Sequence, residues 1–119
     1  MPVRRQQALS RRIAAFAKAR DWEQFHSPKN LAMALSVEAG EVLEHFLWLT
    51  QEDSRSLSTA KHEAVEMELA DVFIYLVRLS DQLGIDLQAA AERKIRYNET
   101  RYPVEKARGN AKKYTEFEA

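Results

Sequence analysis

The sequence lacks cysteine, has only three glycines and three prolines, and carries no net charge, since 18 basic residues balance 18 acidic ones. Without cysteine there is no disulfide framework and no thiolate zinc site, which fits a reducing, cytoplasmic location. Few turn-forming residues argue against a turn-rich β fold. The charge balance indicates neither a nucleic-acid polymer nor a membrane surface as partner. No signal-peptide pattern opens the chain, and no apolar run is long enough to cross a bilayer.

Apolar residues recur at helical spacing along most of the chain, which predicts an all-α fold, a four-helix bundle within a single domain spanning residues 1–119. The predicted helices cover about residues 3–20, 28–48, 59–83 and 87–100, and an extended tail follows from 103 to 119. Ser27 before Pro28 is a typical helix start, and Gly84 is a typical stop. Thr50 opens a capping-box pattern that predicts a further short helix.

One segment of the third predicted helix, Val72–Val77, is apolar on nearly every side. A helix of this kind is normally buried on more than one face. A chain of 119 residues has little else to cover it. The pattern therefore predicts that the core is completed by another subunit.

Two pairs of carboxylates stand out, Glu38 with Glu41 and Glu68 with Asp71. Residues three apart share one face of a helix, and here that face also carries the apolar residues of each helix. Acids at a helix–helix interface repel one another unless a cation joins them. Oxygen-only ligands suit a hard ion, Mg²⁺ or Mn²⁺. We therefore predict a magnesium site for a phosphorylated substrate.

Three other features allow two interpretations each. The aromatic connection, residues 21–27 with Trp22, Phe25 and His26, either plugs one end of the core or forms a slot for a nucleobase. Lys94 begins a basic stripe with Asn98 and Arg101, which binds a triphosphate or is simply a solvated face. His45, one turn after Glu41, is a partner of the acids or a structural histidine.

The acidic pairs and the segments around them resemble the all-α nucleoside triphosphate pyrophosphohydrolases of the MazG-like superfamily. The signature of that family is Glu-x-x-Glu followed, a helix later, by Glu-x-x-Asp, as in this chain. The similarity covers about residues 9–117 and is specific to the dCTP pyrophosphatase branch. The segments that carry it are Arg20–Leu31, Glu68–Leu76, Asn98–Pro103 and Arg108–Thr115.

The resemblance implies hydrolysis of a nucleoside triphosphate, with dCTP or a 5-modified dCTP as substrate, to the monophosphate and pyrophosphate. Such an activity would serve the sanitation of the nucleotide pool. It also implies Mg²⁺ held by the four signature acids, and a homotetramer built as a dimer of dimers. Glu41 is our candidate for the acid that orients or deprotonates the attacking water, and Lys94 for the cation that stabilises the leaving group.

The same resemblance assigns the substrate-binding residues. Those for the base are Trp22, His26, Asn30 and Trp48, and those for the phosphates are Lys94, Asn98, Arg101, Tyr102, Lys113 and Tyr114. Because some of these lie in the tail, we expect it to fold over an active site rather than to fray.

Three alternatives compete with this assignment. The fold could act on dUTP or another non-standard nucleotide, or the chain could be a non-catalytic helical interaction protein whose acids pair with basic residues. A di-iron carboxylate bundle would need Glu-x-x-His on two helices. The residues three before His45 and His62 are Val42 and Thr59, so we set this class aside.

Overall fold

The computed structural model describes the backbone of residues 2–117 and the side chains of residues 5–117, and it contains no strand among them. The α-helices are α1 (Pro2–Ala19), α2 (Pro28–Glu44), α3 (Gln51–Ser54), α4 (Thr59–Gln82), α5 (Leu87–Arg101) and α6 (Val104–Ala107). Single 3₁₀ turns cover Glu23–Phe25 and Tyr114–Glu116. The all-α prediction is therefore confirmed. In this part of the chain no helix is both long and apolar enough to cross a membrane.

The chain divides into two compact units, one up to Ile85 and one from Asp86 onward. The expectation of a single domain stays a prediction, and each unit is described by itself below.

Side-chain caps begin the helices where the sequence signals them. The Oγ of Ser27 accepts the backbone N–H of Asn30 at 3.2 Å, with Pro28 in the first turn. Thr50 opens α3 in the same way through the N–H of Asp53, at 3.1 Å. Each cap provides a partner for an N–H that the helix itself leaves unpaired, typically worth about 1 kcal/mol. Gly84, with φ of 66°, ends α4 in the left-handed conformation that favours glycine.

In the first unit, α1 and α2 both pack against α4. The apolar side chains that this packing buries are Ala17, Leu31, Val65 and Val77. Two polar residues of α4 are buried as well, Arg78, which directly follows Val77, and Ser80, three residues after Val77. The packing of α2 on α4 is what brings the two acidic pairs toward one another.

The predicted second helix is too long, because α2 ends at Glu44 rather than at residue 48. The backbone N–H groups of His45 and Phe46 bond to carbonyls three residues back, at 3.2 and 2.9 Å. This tighter winding replaces the α-helical bonds, so the chain continues as turns through Trp48. No glycine or proline marks the exit, which is why the sequence pattern did not reveal it.

The second unit corrects the prediction of an extended tail. Beyond α5, the segment contains α6 and the 3₁₀ turn at Tyr114–Glu116. Pro103 ends α5, because it lacks an N–H, and its φ of −62° suits the start of a new helical turn. The Tyr102 ring makes T-shaped contacts with the rings of Tyr114 and Phe117, with centroid distances of 6.1 and 5.7 Å. The tail therefore folds back onto the end of α5. Its last two residues, 118 and 119, lie outside the described part.

Candidate active site

Three of the four predicted metal-binding acids come together between α2 and α4. The carboxylate oxygens of Glu38, Glu41 and Glu68 lie within 4.8 Å of one another, and all three residues are half-buried. One oxygen of Glu38 and one of Glu68 are buried and have no hydrogen-bond partner among residues 5–117. A buried carboxylate oxygen without a donor is costly. The donor set therefore fits a divalent cation, which would satisfy these oxygens and join the charges.

The acids also perturb one another. Burial, followed by a hydrogen bond to Glu41 and the charges of Glu41, Asp71 and Glu68, raises the pKa of Glu38 to about 7. The pKa of Glu68 is likewise raised, first by burial and then by Glu41 and Asp71, while His45 opposes the shift. Two carboxylates share a hydrogen bond only when one carries a proton. Without a cation, the cluster therefore retains a proton well above the ordinary range of a glutamate.

The fourth predicted ligand, Asp71, is exposed on α4, one turn beyond Glu68. It is not part of the set within 4.8 Å, yet its charge contributes to both raised pKa values. His45 follows α2, and its Nε2 lies 4.0 Å from Oε1 of Glu68. The histidine is therefore a neighbour of the acids, which is one of the two interpretations that the sequence allowed.

The aromatic connection places three of the four predicted base-binding residues close together. The Trp22 ring lies between Phe16, at 5.7 Å, and His26, at 6.3 Å between centroids. The amide nitrogen of Asn30 donates to the carbonyl of Phe25 at 2.9 Å. Trp22 and Phe25 are 43% and 59% exposed, so these rings do not plug the core.

Trp48, the fourth predicted base-binding residue, lies in the turn after α2 and is 90% exposed. No aromatic contact joins it to the aromatic connection within the described residues.

In the second unit, the predicted phosphate-binding residues lie at the end of α5 and in the tail. The guanidinium of Arg101 stacks on Tyr97 at 4.4 Å and on Tyr114 at 4.0 Å. The ammonium of Lys94 lies 4.9 Å from the centre of the Tyr97 ring. Of the other predicted residues, Asn98 accepts the N–H of Tyr102 through its carbonyl, and Lys113 immediately precedes the 3₁₀ turn. Arg101 is thus held against two aromatic rings.

One residue that sequence analysis missed is Arg78, which is only 4% exposed. Its Nε donates to Nδ1 of His26 at 3.2 Å, so it links α4 to the aromatic connection. The sequence did carry a signal, because Arg78 is the only charged residue in the apolar stretch Tyr75–Leu79. Burial and the charge of Arg78 both lower the pKa of His26.

Together, the helical fold and the facing acids define an α-helical protein with a carboxylate site of the kind that holds a divalent cation. A sequence model of the MazG-like family matches residues 33–117, and the chain belongs to this family.

Known relatives agree with this assignment. The dCTP pyrophosphatase 1 proteins of Bos taurus and Homo sapiens are each 44% identical to the chain over 111 residues, which is 92% of its length. The chain spans 66% and 65% of the length of these two curated relatives. A solved structure of a pyrophosphatase from Archaeoglobus fulgidus has a TM-score of 0.78 and 37% identity, covering 82% of this chain and 91% of that one. The family resemblance drawn from the sequence is thus confirmed.

Proposed function

We propose that this protein is a magnesium-dependent nucleoside triphosphate pyrophosphohydrolase that cleaves dCTP, or dCTP modified at C5, to the monophosphate and pyrophosphate. The observation that carries the proposal is the three-acid cluster with its two unpartnered, buried oxygens. The relatives named dCTP pyrophosphatase 1 support the choice of substrate. In this role the protein would act in the cytoplasm and cleanse the nucleotide pool.

Glu38, Glu41, Glu68 and Asp71 are the proposed ligands of the cation. All four offer oxygen only, which suits Mg²⁺ and also Mn²⁺. When bound, the ion would neutralise phosphate oxygens and lower the pKa of a water molecule. The raised pKa values of Glu38 and Glu68 support this assignment, because they express a repulsion that a cation would remove.

Glu41 is the proposed general base. It neighbours both Glu38 and Glu68, and it is the hydrogen-bond partner that raises the pKa of each. In the proposed reaction, water attacks the α phosphorus, a proton passes to the Glu41 carboxylate, and the bond to the β phosphate breaks. The electron pair leaves with pyrophosphate.

Lys94 and Arg101 supply positive charge to the pyrophosphate as it leaves. The Arg101 guanidinium contacts two tyrosine rings, and a guanidinium held against aromatic rings can still donate its N–H groups to phosphate oxygens. The remaining phosphate-binding residues in this proposal are Asn98, Tyr102, Lys113 and Tyr114. Two of them, Lys113 and Tyr114, lie in the folded tail, and the contact of Tyr114 with Arg101 supports a binding role for that segment.

The base slot is proposed to comprise Trp22, His26, Asn30 and Trp48. Trp22 offers an exposed ring on which a pyrimidine can stack. Since the nitrogen of the Asn30 amide donates to Phe25, its oxygen stays available for an N–H donor. Cytosine carries such a donor in its exocyclic amino group, where uracil has a carbonyl oxygen, so a contact of the Asn30 oxygen with that position would accept dCTP and reject dUTP.

A homo-oligomer, with a tetramer as the expected form, is part of the proposal. Val37 on α2 and Leu69, Phe73 and Ile74 on α4 are all exposed, with Val37 at 61%. Apolar surface of this extent usually marks an interface. Light scattering coupled to gel filtration should give a mass above that of the monomer. Monomeric protein at micromolar concentration would contradict this part of the proposal.

Pyrophosphate release tests the activity. The canonical ribo- and deoxyribonucleoside triphosphates and 5-methyl-dCTP are each assayed with Mg²⁺ and with EDTA. We expect release that needs Mg²⁺ and is strongest with dCTP or its 5-methyl form. Glu68→Gln should abolish release, while Glu66→Gln, an exposed neighbour on the same helix, should not. Release from another nucleotide would overturn the base assignment, and no release at all would favour a non-catalytic role.

A further inference from the structure

The buried side chain of Arg78 on α4 has several hydrogen-bond acceptors around it. Besides its bond to Nδ1 of His26, its Nη1 donates to Oδ2 of Asp81 at 3.3 Å. Gln82, with its amide oxygen turned toward Arg78, accepts from Nη1 and Nη2 at 3.2 and 3.3 Å. A buried guanidinium with this many acceptors is fixed in position, so the direction of its Nε–H is fixed as well.

The bond between Arg78 and His26 determines where the imidazole carries its hydrogen. An arginine Nε always bears a hydrogen and cannot accept, so Nδ1 of His26 must offer its lone pair. In a neutral imidazole, the hydrogen then resides on Nε2. In a doubly protonated ring, Nδ1 would also carry a hydrogen. That N–H would face the Nε–H of Arg78, and the charged ring would lie next to the positively charged guanidinium.

We infer that Arg78 is a positioning residue that holds His26 in the neutral Nε2–H tautomer, so that the base slot presents a hydrogen-bond donor to an acceptor on the pyrimidine. Burial and the charge of Arg78 lower the pKa of His26, which keeps the ring neutral near pH 7. The Trp22 ring, 6.3 Å away and tilted by 60°, flanks the imidazole within the aromatic connection.

This inference rests on the proposed base slot and specifies its chemistry. Cytosine presents the acceptors O2 and N3, whereas uracil presents O2 and O4 and carries a hydrogen on N3. A substituent at C5 lies on the opposite edge of the ring from O2. A donor at His26 therefore agrees with a cytosine substrate and with tolerance of a 5-methyl group.

Nitrogen-15 NMR of the imidazoles tests the tautomer without any nucleotide. The chain has three histidines, and the signals of His26 are assigned by their loss in His26→Gln. We expect the Nε2–H tautomer in the wild type at pH 7.5, and a mixture of tautomers in Arg78→Met, which has no N–H at this position. Asp81→Asn, whose amide oxygen can still accept from Nη1 of Arg78, should resemble the wild type. Nδ1–H or doubly protonated His26 in the wild type would overturn the inference.

The wild-type spectrum decides this point even if an Arg78 variant does not fold. It also stays readable if dCTP proves not to be a substrate, so failure of the inference and failure of the proposed function are distinguishable.

Kinetics tests the link to the substrate. Losing one positioned donor should raise KM for dCTP about three- to tenfold in Arg78→Met, with little change in kcat. His26→Gln, which keeps an N–H at its far end, should bind dCTP more tightly than His26→Ala. Asp81→Asn should keep the wild-type KM. A fall in kcat with unchanged KM would overturn the positioning role.

Discussion

Replacing Glu38 by glutamine should stabilise the metal-free protein much more at pH 8 than at pH 5. Burial and its acidic neighbours raise the pKa of Glu38 from 4.5 to about 7. The folded chain therefore binds this proton more tightly than the unfolded chain does. Wild-type stability must fall as pH rises from about 4.5 to about 7, because in that range unfolding releases the proton. The glutamine side chain of the variant does not ionise, so the stability of the variant does not fall through this group in that pH range.

The magnitude follows from the geometry of the cluster. Two unit charges 4.8 Å apart repel by about 0.9 kcal/mol in a water-like dielectric, and more where water is partly excluded. Taking the smaller figure for Glu38 and Glu41, the variant should gain about 1 kcal/mol at pH 8. For a domain of this size that corresponds to about 4 °C in melting temperature.

The assay is thermal unfolding in EDTA at pH 5 and pH 8, followed by circular dichroism. The exposed Glu44 on the same helix gives the matched control, Glu44→Gln, which should not alter the pH dependence. Adding Mg²⁺ at pH 8 should make the wild type more stable than the variant, because the wild type binds the ion more tightly. A Mg²⁺ concentration one hundred times Kd adds about 2.7 kcal/mol to the free energy of unfolding. A Glu38→Gln protein that is less stable than the wild type at pH 8 in EDTA would refute the reasoning.

Three further predictions concern other parts of the chain. Asp71→Asn should keep the melting temperature but lower turnover by about a hundredfold or more, and wild-type turnover would count against the metal assignment. Tyr114→Ala should raise KM for the triphosphate by freeing Arg101, and Tyr114→Phe, which keeps the ring, should raise it less; equal KM values for the two variants in a steady-state assay would contradict the stacking role. Gly84→Ala should cost about 1 kcal/mol in urea unfolding, because its φ of 66° strains an alanine; an unchanged midpoint would contradict this.

Much of the fold was predictable because its signals are local. The caps at Ser27 and Thr50 and the stop at Gly84 act within a few residues of the helix ends that they define. The end of α2 was not predictable, since the 3₁₀-type bonds of His45 and Phe46 have no characteristic residue. The helical turns of the tail were missed because the rings of Tyr102, Tyr114 and Phe117, which hold it, pack across sequence separations without helical periodicity.

The acids of the candidate site were predictable from the sequence, whereas the contacts that support the site were not. Acids on the apolar faces of two helices must face each other once the helices pack, which placed Glu38, Glu41 and Glu68 together. The link between Arg78 and His26 joins residues 52 positions apart, and periodicity carries no information about such a pair. Only a charge inside an apolar helical stretch indicated that Arg78 had a partner.

Magnesium binding tests the central claim most directly, namely that the facing acids hold a cation for a triphosphate. Mg²⁺ is titrated calorimetrically at pH 8 in the presence of an α,β-methylene analogue of dCTP, which cannot release pyrophosphate. The account predicts saturable binding to the wild type and to Glu66→Gln, and binding at least about tenfold weaker to Glu68→Gln. Equal affinity of the wild type and Glu68→Gln for Mg²⁺ would contradict it.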